Sequence, residues 1–257
     1  MLEAVLFDWG DTLMQWAPEP EFLDEGHRAG LAAIGRDVDP AMTARFRDVY
    51  LPKFFAQGVV EEVEYPGEVR ALLGEFGIDV SGDELLRFLE AEHAAWAPAR
   101  RLAATTHALL EALRDRGLKL GLVSNAIDPP DLLHRDLEQL GVAQRLDVAV
   151  FSSETGRRKP DPAIFEAALS RLGVEPERAL MVGDSVPNDI AGARALGMTT
   201  CQALWFVADP VEEPEPDFRA FSQMDVMTAV SRASNRGKSQ VLRSATNLTH
   251  NPAHEHE

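Results

Sequence analysis

Four apolar runs along the sequence are each followed, at once or within a short loop, by side chains that could take part in chemistry. The runs cover residues 3–7, 119–123, 148–151 and 179–182. The residues that follow them are Asp8, Gly10, Asp11 and Thr12, then Ser124 and Asn125, then Lys159, and then Asp184 and Asp189. A single aspartate in such a place is most often a helix cap. Four strand ends that all carry polar groups favour one shared site instead.

Clustered carboxylates and a lysine suit chemistry on a phosphate group. Carboxylates held close together repel one another unless a cation lies among them. Hard oxygen ligands without Cys or His are the ligands that Mg²⁺ prefers. A metal ion and a lysine would neutralise phosphate charge in the transition state. One carboxylate could then attack phosphorus to form an aspartyl-phosphate, while hydroxyls and backbone N–H groups hold the other phosphate oxygens.

The elements that must position these residues are predicted to form a parallel sheet. Each run is short and, apart from a charged first residue in two of them, free of polar side chains, as in a buried parallel strand. A further strand is predicted at 198–203, and a weak strand and helix pair at 218–231. Helical patterns separate the strands, so the sheet is predicted to carry helices on both faces. In such a sheet the binding site lies at the carboxyl ends of the strands.

Residues 19–96 show a different pattern. Several stretches there have apolar residues at helical spacing, and no strand pattern interrupts them. Leu31, Phe46, Leu72 and Leu89 each belong to a different one of these stretches. This stretch is therefore predicted to form a small helical bundle that is inserted into the chain after the first strand. From residue 233 the chain is rich in Ser, Asn, Thr and His, and we expect residues 233–257 to be a disordered tail.

The composition narrows the possible partners and the location. The chain has 257 residues, of which 45% are hydrophobic and 26% charged, with a net charge of −17. Such acidity argues against a nucleic-acid partner, which requires basic surface. No apolar run reaches the roughly 18 residues that a membrane span requires, and the first residues lack the pattern of a signal peptide. Cys201 is the single cysteine, so no internal disulfide is possible. Together these features predict a cytoplasmic protein without membrane partners.

Four segments resemble the motifs of a known superfamily. The segments FDWGDTL, LVSNA, GRRKPDP and MVGDSVPND resemble, in this order, the four motifs of the haloacid-dehalogenase-like hydrolases, in particular the phosphatase-like branch with a small helical cap. The resemblance implies a doubly wound, Rossmann-like α/β core with an inserted cap that closes over the site. On that basis residues 1–14 and 97–232 are predicted to form the core and residues 15–96 the cap.

The resemblance also implies a role for each site residue. It makes Asp8 the nucleophile and Thr12 a supporting residue of the first motif. Ser124 and Asn125 would contact the phosphoryl group, and Lys159 would balance the charge between nucleophile and substrate. The implied Mg²⁺ ligands are Asp8, the carbonyl of Gly10, Asp184 and Asp189. The implied reaction is hydrolysis of a small phosphorylated metabolite.

The sequence departs from the family pattern at one position. Related phosphatases usually carry a second aspartate two residues after the nucleophile as general acid and base, and here that position is Gly10. Asp11 follows one place later, where a glycine is common. Asp11 could swing in as acid and base, the substrate could have a good leaving group, or the reaction could differ. Asp11 could equally be a turn residue that caps local N–H groups.

Three other functions remain open at this point. The chain could bind a phosphorylated ligand with little turnover. It could be a dehalogenase, since those relatives also lack the second aspartate, although they need no Mg²⁺ and this chain keeps both Asp184 and Asp189. It could cleave phosphonates, since Asp8-Trp9-Gly10 is similar to that branch, which uses a cap lysine as a Schiff base. The cap's only lysine is Lys53.

Overall fold

The computed structural model describes residues 1–54, 56, 59–206 and 213–235. The strands are β1 (Ala4–Phe7), β2 (Met14–Trp16), β3 (Arg100–Leu102), β4 (Lys119–Ser124), β5 (Val148–Phe151), β6 (Ala179–Gly183), β7 (Thr199–Ala203) and β8 (Phe218–Ala220). The α-helices are α1 (Phe22–Ala33), α2 (Pro40–Arg45), α3 (Leu51–Phe54), α4 (Tyr65–Glu75), α5 (Gly82–Ala95), α6 (Thr106–Arg114), α7 (Pro130–Gln139), α8 (Ser152–Thr155), α9 (Pro162–Leu172), α10 (Ala191–Ala195) and α11 (226–235). Two π-helical segments, Phe46–Tyr50 and Val186–Ile190, complete the longer elements.

Six strands form one parallel sheet in the order β5-β4-β1-β6-β7-β8. The chain builds outward from β1 on one side through β4 and β5, and then on the other side through β6, β7 and β8. The strand order therefore reverses next to β1, and a crevice forms at the carboxyl end of the sheet at such a point. Asp8, the residue after β1, lies at this reversal. The predicted parallel α/β sheet is confirmed.

Alternation of side chains along the strands explains why both faces are covered. Ala4 and Leu6 of β1 pack in an apolar cluster with α9, whereas Val5 and Phe7 pack in a second cluster with α6 and α7. Successive strand residues point to opposite faces, so an uninterrupted apolar strand needs apolar helices on both sides. The predicted strands at 119–123, 148–151, 179–182 and 198–203 are found within a residue or two of these positions, and the weak pair at 218–231 is present as β8 and α11.

Residues 22–95 contain the helices α1 to α5 and have an apolar cluster of their own. Large side chains such as Phe46, Tyr65 and Phe88 are completely or almost completely buried in it. Helix α1 approaches α5 closely, because Gly26 faces Trp96 and Gly30 faces the ring of Phe88, and a methyl group at either glycine would collide with that ring. Glycines one turn apart thus allow the two helices to pack tightly.

One element was not predicted. Strands β2 and β3 pair antiparallel as a two-stranded ribbon, in the register Met14–Leu102 to Trp16–Arg100. Each strand has only three residues, and more than eighty residues separate them, so neither gives a recognisable alternation. The ribbon joins the two stretches of chain that connect the helices of 22–95 to the sheet.

The end of the described chain differs slightly from the expectation. Helix α11 continues to residue 235 and so includes the first three residues of the predicted tail. The remainder of the predicted tail, residues 236–257, lies outside the described residues. Within the described part of the chain, no helix has both the length and the apolar character that crossing a bilayer would require.

Candidate active site

The structure brings three predicted carboxylates together at the carboxyl end of the sheet. Asp8 follows β1, Asp184 follows β6, and Asp189 lies in the π-helical segment Val186–Ile190. One oxygen of each carboxylate lies within 4.8 Å of the others. Asp8 is 8% exposed and Asp189 is fully buried, so water screens their mutual repulsion only weakly.

Lys159 lies in direct contact with this group. Its Nζ donates hydrogen bonds to Asp8 Oδ1 at 2.6 Å and to the carbonyl of Val123 at 2.9 Å, and it forms an ion pair with Asp189 Oδ1 at 2.7 Å. Burial alone would lower the pKa of Lys159, but the carboxylates of Asp189 and Asp8 outweigh it and raise the pKa above its ordinary value. The ammonium of Lys159 is therefore a positive charge held between the carboxylates of Asp8 and Asp189.

One ammonium does not balance three carboxylates. Burial raises the pKa of Asp184, and repulsion from Asp189 and Asp8 raises it further. Burial also raises the pKa of Asp189, although Lys159 acts in the opposite direction. The group has a formal charge of −2 when all carboxylates are ionised, which a divalent cation would neutralise. Buried oxygen ligands without Cys or His fit Mg²⁺, so the residues present are suited to hold it.

The loop after β6 explains how Asp189 reaches the site. The backbone N–H of Ser185 donates to Asp189 Oδ2 at 3.0 Å, and the N–H of Asp189 donates to the carbonyl of Ser185 at 2.7 Å. A methyl group on Gly183 would occupy the position of the Asp189 carboxylate. Gly183 is therefore required for the site, and the sequence analysis did not assign it. The available signal was a glycine that ends a strand, which often marks a close approach.

Asn125 lies beside the site, where its side-chain amide bonds to the backbone of Lys159, and its contact with a phosphoryl group stays a prediction. Its side-chain oxygen accepts a hydrogen bond from the N–H of Lys159 at 2.7 Å, and its side-chain nitrogen donates to the Lys159 carbonyl at 3.1 Å. The amide thus holds the backbone of Lys159 from both sides. Ser124, which is 3% exposed, donates to the carbonyl of Asn125 at 3.3 Å. Asn125 accordingly positions the lysine.

Thr12 is fully buried behind the first strand. Its carbonyl accepts hydrogen bonds from Trp205 Nε1 at 2.9 Å and from Gln223 Nε2 at 3.1 Å. Its hydroxyl has no hydrogen-bond partner among the residues that the structure describes. Trp205 and Gln223 were not singled out in the sequence, because both come from distant segments that only the fold brings to this loop.

Asp11 has the unusual backbone of the first loop. Its φ of +52° is in the left-handed region, which is uncommon for residues other than glycine. Its Oδ1 accepts a hydrogen bond from the N–H of Trp16 at 3.1 Å, as a turn-capping residue would. Burial raises the pKa of Asp11, this hydrogen bond lowers it, and the charge of Asp8 raises it. Gly10 does not adopt a left-handed φ, and a Cβ there would meet nothing within 4 Å.

Lys53 does not have the surroundings that a Schiff-base lysine would need. Its Nζ forms an ion pair with Glu68 Oε2 at 2.6 Å and lies 4.6 Å from the centroid of the Tyr50 ring. The side chain is 42% exposed. A Schiff-base lysine needs an amine that is free to attack a carbonyl, and this amine is exposed and paired with a carboxylate, so its placement gives no support to phosphonate cleavage.

Comparisons with known proteins agree with this arrangement. A family profile described as haloacid dehalogenase-like hydrolase matches residues 2–197. The chain is 30% identical over 251 residues to a phosphoserine phosphatase of Thermus thermophilus, covering 89% of this chain and 99% of that one. It is 32% identical to a glyceraldehyde 3-phosphate phosphatase of Methanopyrus kandleri, covering 78% and 83%. A crystal structure of a phosphatase from Thermococcus onnurineus is similar, with a TM-score of 0.61 and 26% identity over 89% of this chain and 98% of that one. The chain therefore belongs to the haloacid dehalogenase-like hydrolase family.

Proposed function

We propose that this chain is a Mg²⁺-dependent phosphatase that hydrolyses a small phosphorylated metabolite through an aspartyl-phosphate on Asp8. The observation that carries this proposal is the contact of one buried lysine with both Asp8 and Asp189, inside a group of three carboxylates. The relatives named for phosphoserine and glyceraldehyde 3-phosphate support a small substrate. We expect such an enzyme in the cytoplasm.

Each residue of the site has its own role in the proposed reaction. Lys159 holds Oδ1 of Asp8, which fixes the carboxylate for attack on phosphorus. Asn125 holds Lys159 in turn, and Ser124 would donate to a phosphoryl oxygen. Asp8, Asp184, Asp189 and the carbonyl of Gly10 would hold Mg²⁺, which when bound supplies positive charge that offsets the charge of the phosphoryl group.

We assign the acid and base role to Asp11. Its carboxyl is half-buried, and burial together with the nearby charge of Asp8 raises its pKa, so it holds a proton more readily than an exposed aspartate does. The carboxyl must leave the N–H of Trp16 to act, and a backbone in the left-handed region brings some strain to that loop. Residues 15–96 would act as the cap over this site.

The test is turnover of p-nitrophenyl phosphate and acetyl phosphate with Mg²⁺ and with EDTA. We expect activity that EDTA removes and that Asp8→Asn abolishes, while the exposed Asp131→Asn variant is unchanged. Activity that survives either EDTA or Asp8→Asn would contradict the proposal.

A second candidate is a phosphate-ligand binding protein with little turnover. It is favoured by the hydrogen bond that the Trp16 N–H donates to the Asp11 carboxylate and by the absence of a carboxylate at position 10. Gly10→Asp separates the two, because the structure has room for the new side chain at its Cβ. A rise in turnover of roughly 10²-fold or more would show that the missing carboxylate limits the reaction. An unchanged or lower turnover would mean that the missing carboxylate is not limiting, because Asp11 or a substrate with a good leaving group already fills its role.

A further inference from the structure

A buried charged cluster lies outside the active site, between helix α5 and helix α7. His93, near the end of α5, is 6% exposed. Its Nδ1 lies 3.1 Å from Asp128 Oδ1, and its Nε2 lies 3.1 Å from Asp136 Oδ2. A neutral imidazole has one N–H only, so a carboxylate beside each of its two nitrogens favours the protonated ring.

Arg100 completes this cluster. Its Nε lies 2.9 Å from Asp136 Oδ2, and its Nη2 donates to the carbonyl of His93 at 2.7 Å. We call His93, Arg100, Asp128 and Asp136 the His93 cluster. It contains two positive and two negative charges when His93 is protonated, so it is neutral as a whole. Deprotonation of His93 would leave the carboxylates with one positive partner.

Two further titratable groups face the cluster from the helices of 22–95. Tyr65 of α4 donates to Glu92 Oε2 at 2.6 Å, and both side chains are buried and lie within the field of Asp128. Burial raises the pKa of Glu92 to about 8, so it is largely neutral at pH 7 and adds little charge. Burial alone would lower the pKa of His93, but the carboxylates of Asp128 and Asp136 outweigh it and raise the pKa to about 9.

The cluster acts on the chain next to the active site. Asp128 lies three residues after Asn125, in the loop that leads from β4 into α7, and Pro129 and Pro130 limit the freedom of that loop. Asn125 holds the backbone of Lys159. A displacement of Asp128 would therefore reach Ser124, Asn125 and the lysine that contacts Asp8.

We propose that His93 is a positioning residue, which ties helix α5 to the loop carrying Ser124 and Asn125 and so keeps that loop in place under the helices of residues 22–95. His93 contacts neither the carboxylates of the active site nor Lys159. Its effect on turnover rests on the proposed phosphatase function, but its effect on the loop does not.

The first measurement follows the loop directly. His93→Gln removes the positive charge, and Asp128→Asn removes the partner on the loop while leaving His93, Asp136 and Arg100 in contact. Glu90→Gln is the matched control, because Glu90 joins α5 to Arg135 of α7 through an exposed pair at 3.3 Å. We expect hydrogen exchange of the backbone amides of residues 124–128 at pH 7 to be at least tenfold faster in the first two variants and unchanged in the control. Exchange as slow in His93→Gln and Asp128→Asn as in the wild type and the control would overturn the proposal.

The second measurement is the titration of His93 by NMR, with His93→Gln to assign its signal. We expect a midpoint well above 6.5 in the wild type, and a midpoint at least one pH unit lower in Asp128→Asn. A midpoint at or below 6.5 in the wild type would overturn the proposal, since His93 would then be neutral at pH 7.

The third measurement separates positioning from general stability. We expect both variants to raise the KM for p-nitrophenyl phosphate about tenfold with little change in kcat, because Ser124 would contact the phosphoryl group before and during reaction. A lower melting temperature with unchanged KM and unchanged loop exchange would make His93 merely structural and overturn the proposal. If the wild type shows no turnover, the phosphatase function fails, while exchange and titration still decide the role of His93.

Discussion

Substitution of Asp184 by Asn should stabilise the protein when no metal is bound. The three site carboxylates lie within 4.8 Å of one another, so each ionised pair repels by at least about 3.5 kcal/mol at an effective dielectric constant of about 20. Asp184→Asn removes two of these repulsions and loses a weaker attraction to Lys159. Protonation limits the penalty in the wild type, because protonating a carboxyl with an ordinary pKa of 3.8 costs about 4 kcal/mol at pH 7. We therefore expect a gain of about 2–4 kcal/mol in the free energy of unfolding.

The assay is thermal unfolding in EDTA and in Mg²⁺. The expected gain corresponds to a rise in Tm of roughly 5–15 °C in EDTA, whereas Mg²⁺ should raise the Tm of the wild type much more than that of the variant. The pKa of Asp184 is raised in the folded state, so the folded protein retains a proton that the unfolded chain has lost. Stability of the metal-free wild type should therefore fall as pH rises from about 4 toward the folded pKa, by up to about 1.4 kcal/mol per pH unit.

One result would refute this reasoning. If Asp184→Asn unfolds at or below the temperature of the wild type in EDTA between pH 6 and pH 8, the carboxylates do not repel one another in the folded protein. The exposed Asp131→Asn variant, which removes a charge of the same sign outside this group of carboxylates, should change Tm by no more than a degree or two and serves as the control.

Three further substitutions test the site, and a fourth, Gly10→Ala, serves as a control. Lys159→Met should lower turnover roughly 10²–10³-fold. In EDTA it should also lower the free energy of unfolding by about 3–5 kcal/mol, because Asp8 and Asp189 lose their positive partner. A variant as stable as the wild type in EDTA would contradict this. Gly183→Ala should abolish the rise in Tm caused by Mg²⁺, since its methyl would displace Asp189, whereas Gly10→Ala should keep it. Asp11→Asn should keep stability within about 1 kcal/mol, because Asn tolerates a left-handed φ, and should slow hydrolysis of alkyl phosphates roughly 10²-fold, which kcat would show.

The strand ends were predictable because the signal there is local. Apolar runs stop sharply at Asp8, Ser124 and Asp184, and a parallel sheet brings the carboxyl ends of its strands to one edge. Lys159 was predictable only from its motif, since it lies in a loop some eight residues after β5. The division into core and cap at residues 15–96 stays a prediction.

The side-chain partners could not be predicted, because they depend on distances between remote segments. No sequence pattern near Asn125 indicates that its side-chain amide bonds to the backbone of Lys159, 34 residues further on. The partners of His93 could not be predicted either. In the sequence it is one residue on a helical face, and only the fold brings Asp128 and Asp136 to its two nitrogens. A positive φ at Asp11 is equally hidden, since most aspartates in turns do not adopt one.

The antiparallel ribbon of β2 and β3 has a consequence for how this protein can be altered. The N–H of Ala17 donates to the carbonyl of Ala99 at 2.9 Å, so the stretch 18–98 departs and returns at neighbouring points. An insertion with adjacent ends can be exchanged for another of different length while the path of the parent chain stays intact. Grafting the corresponding stretch of a relative between Ala17 and Ala99 would thus give a chimaera in which the helices of residues 22–95 and the carboxylates at the end of the sheet are inherited from different parents.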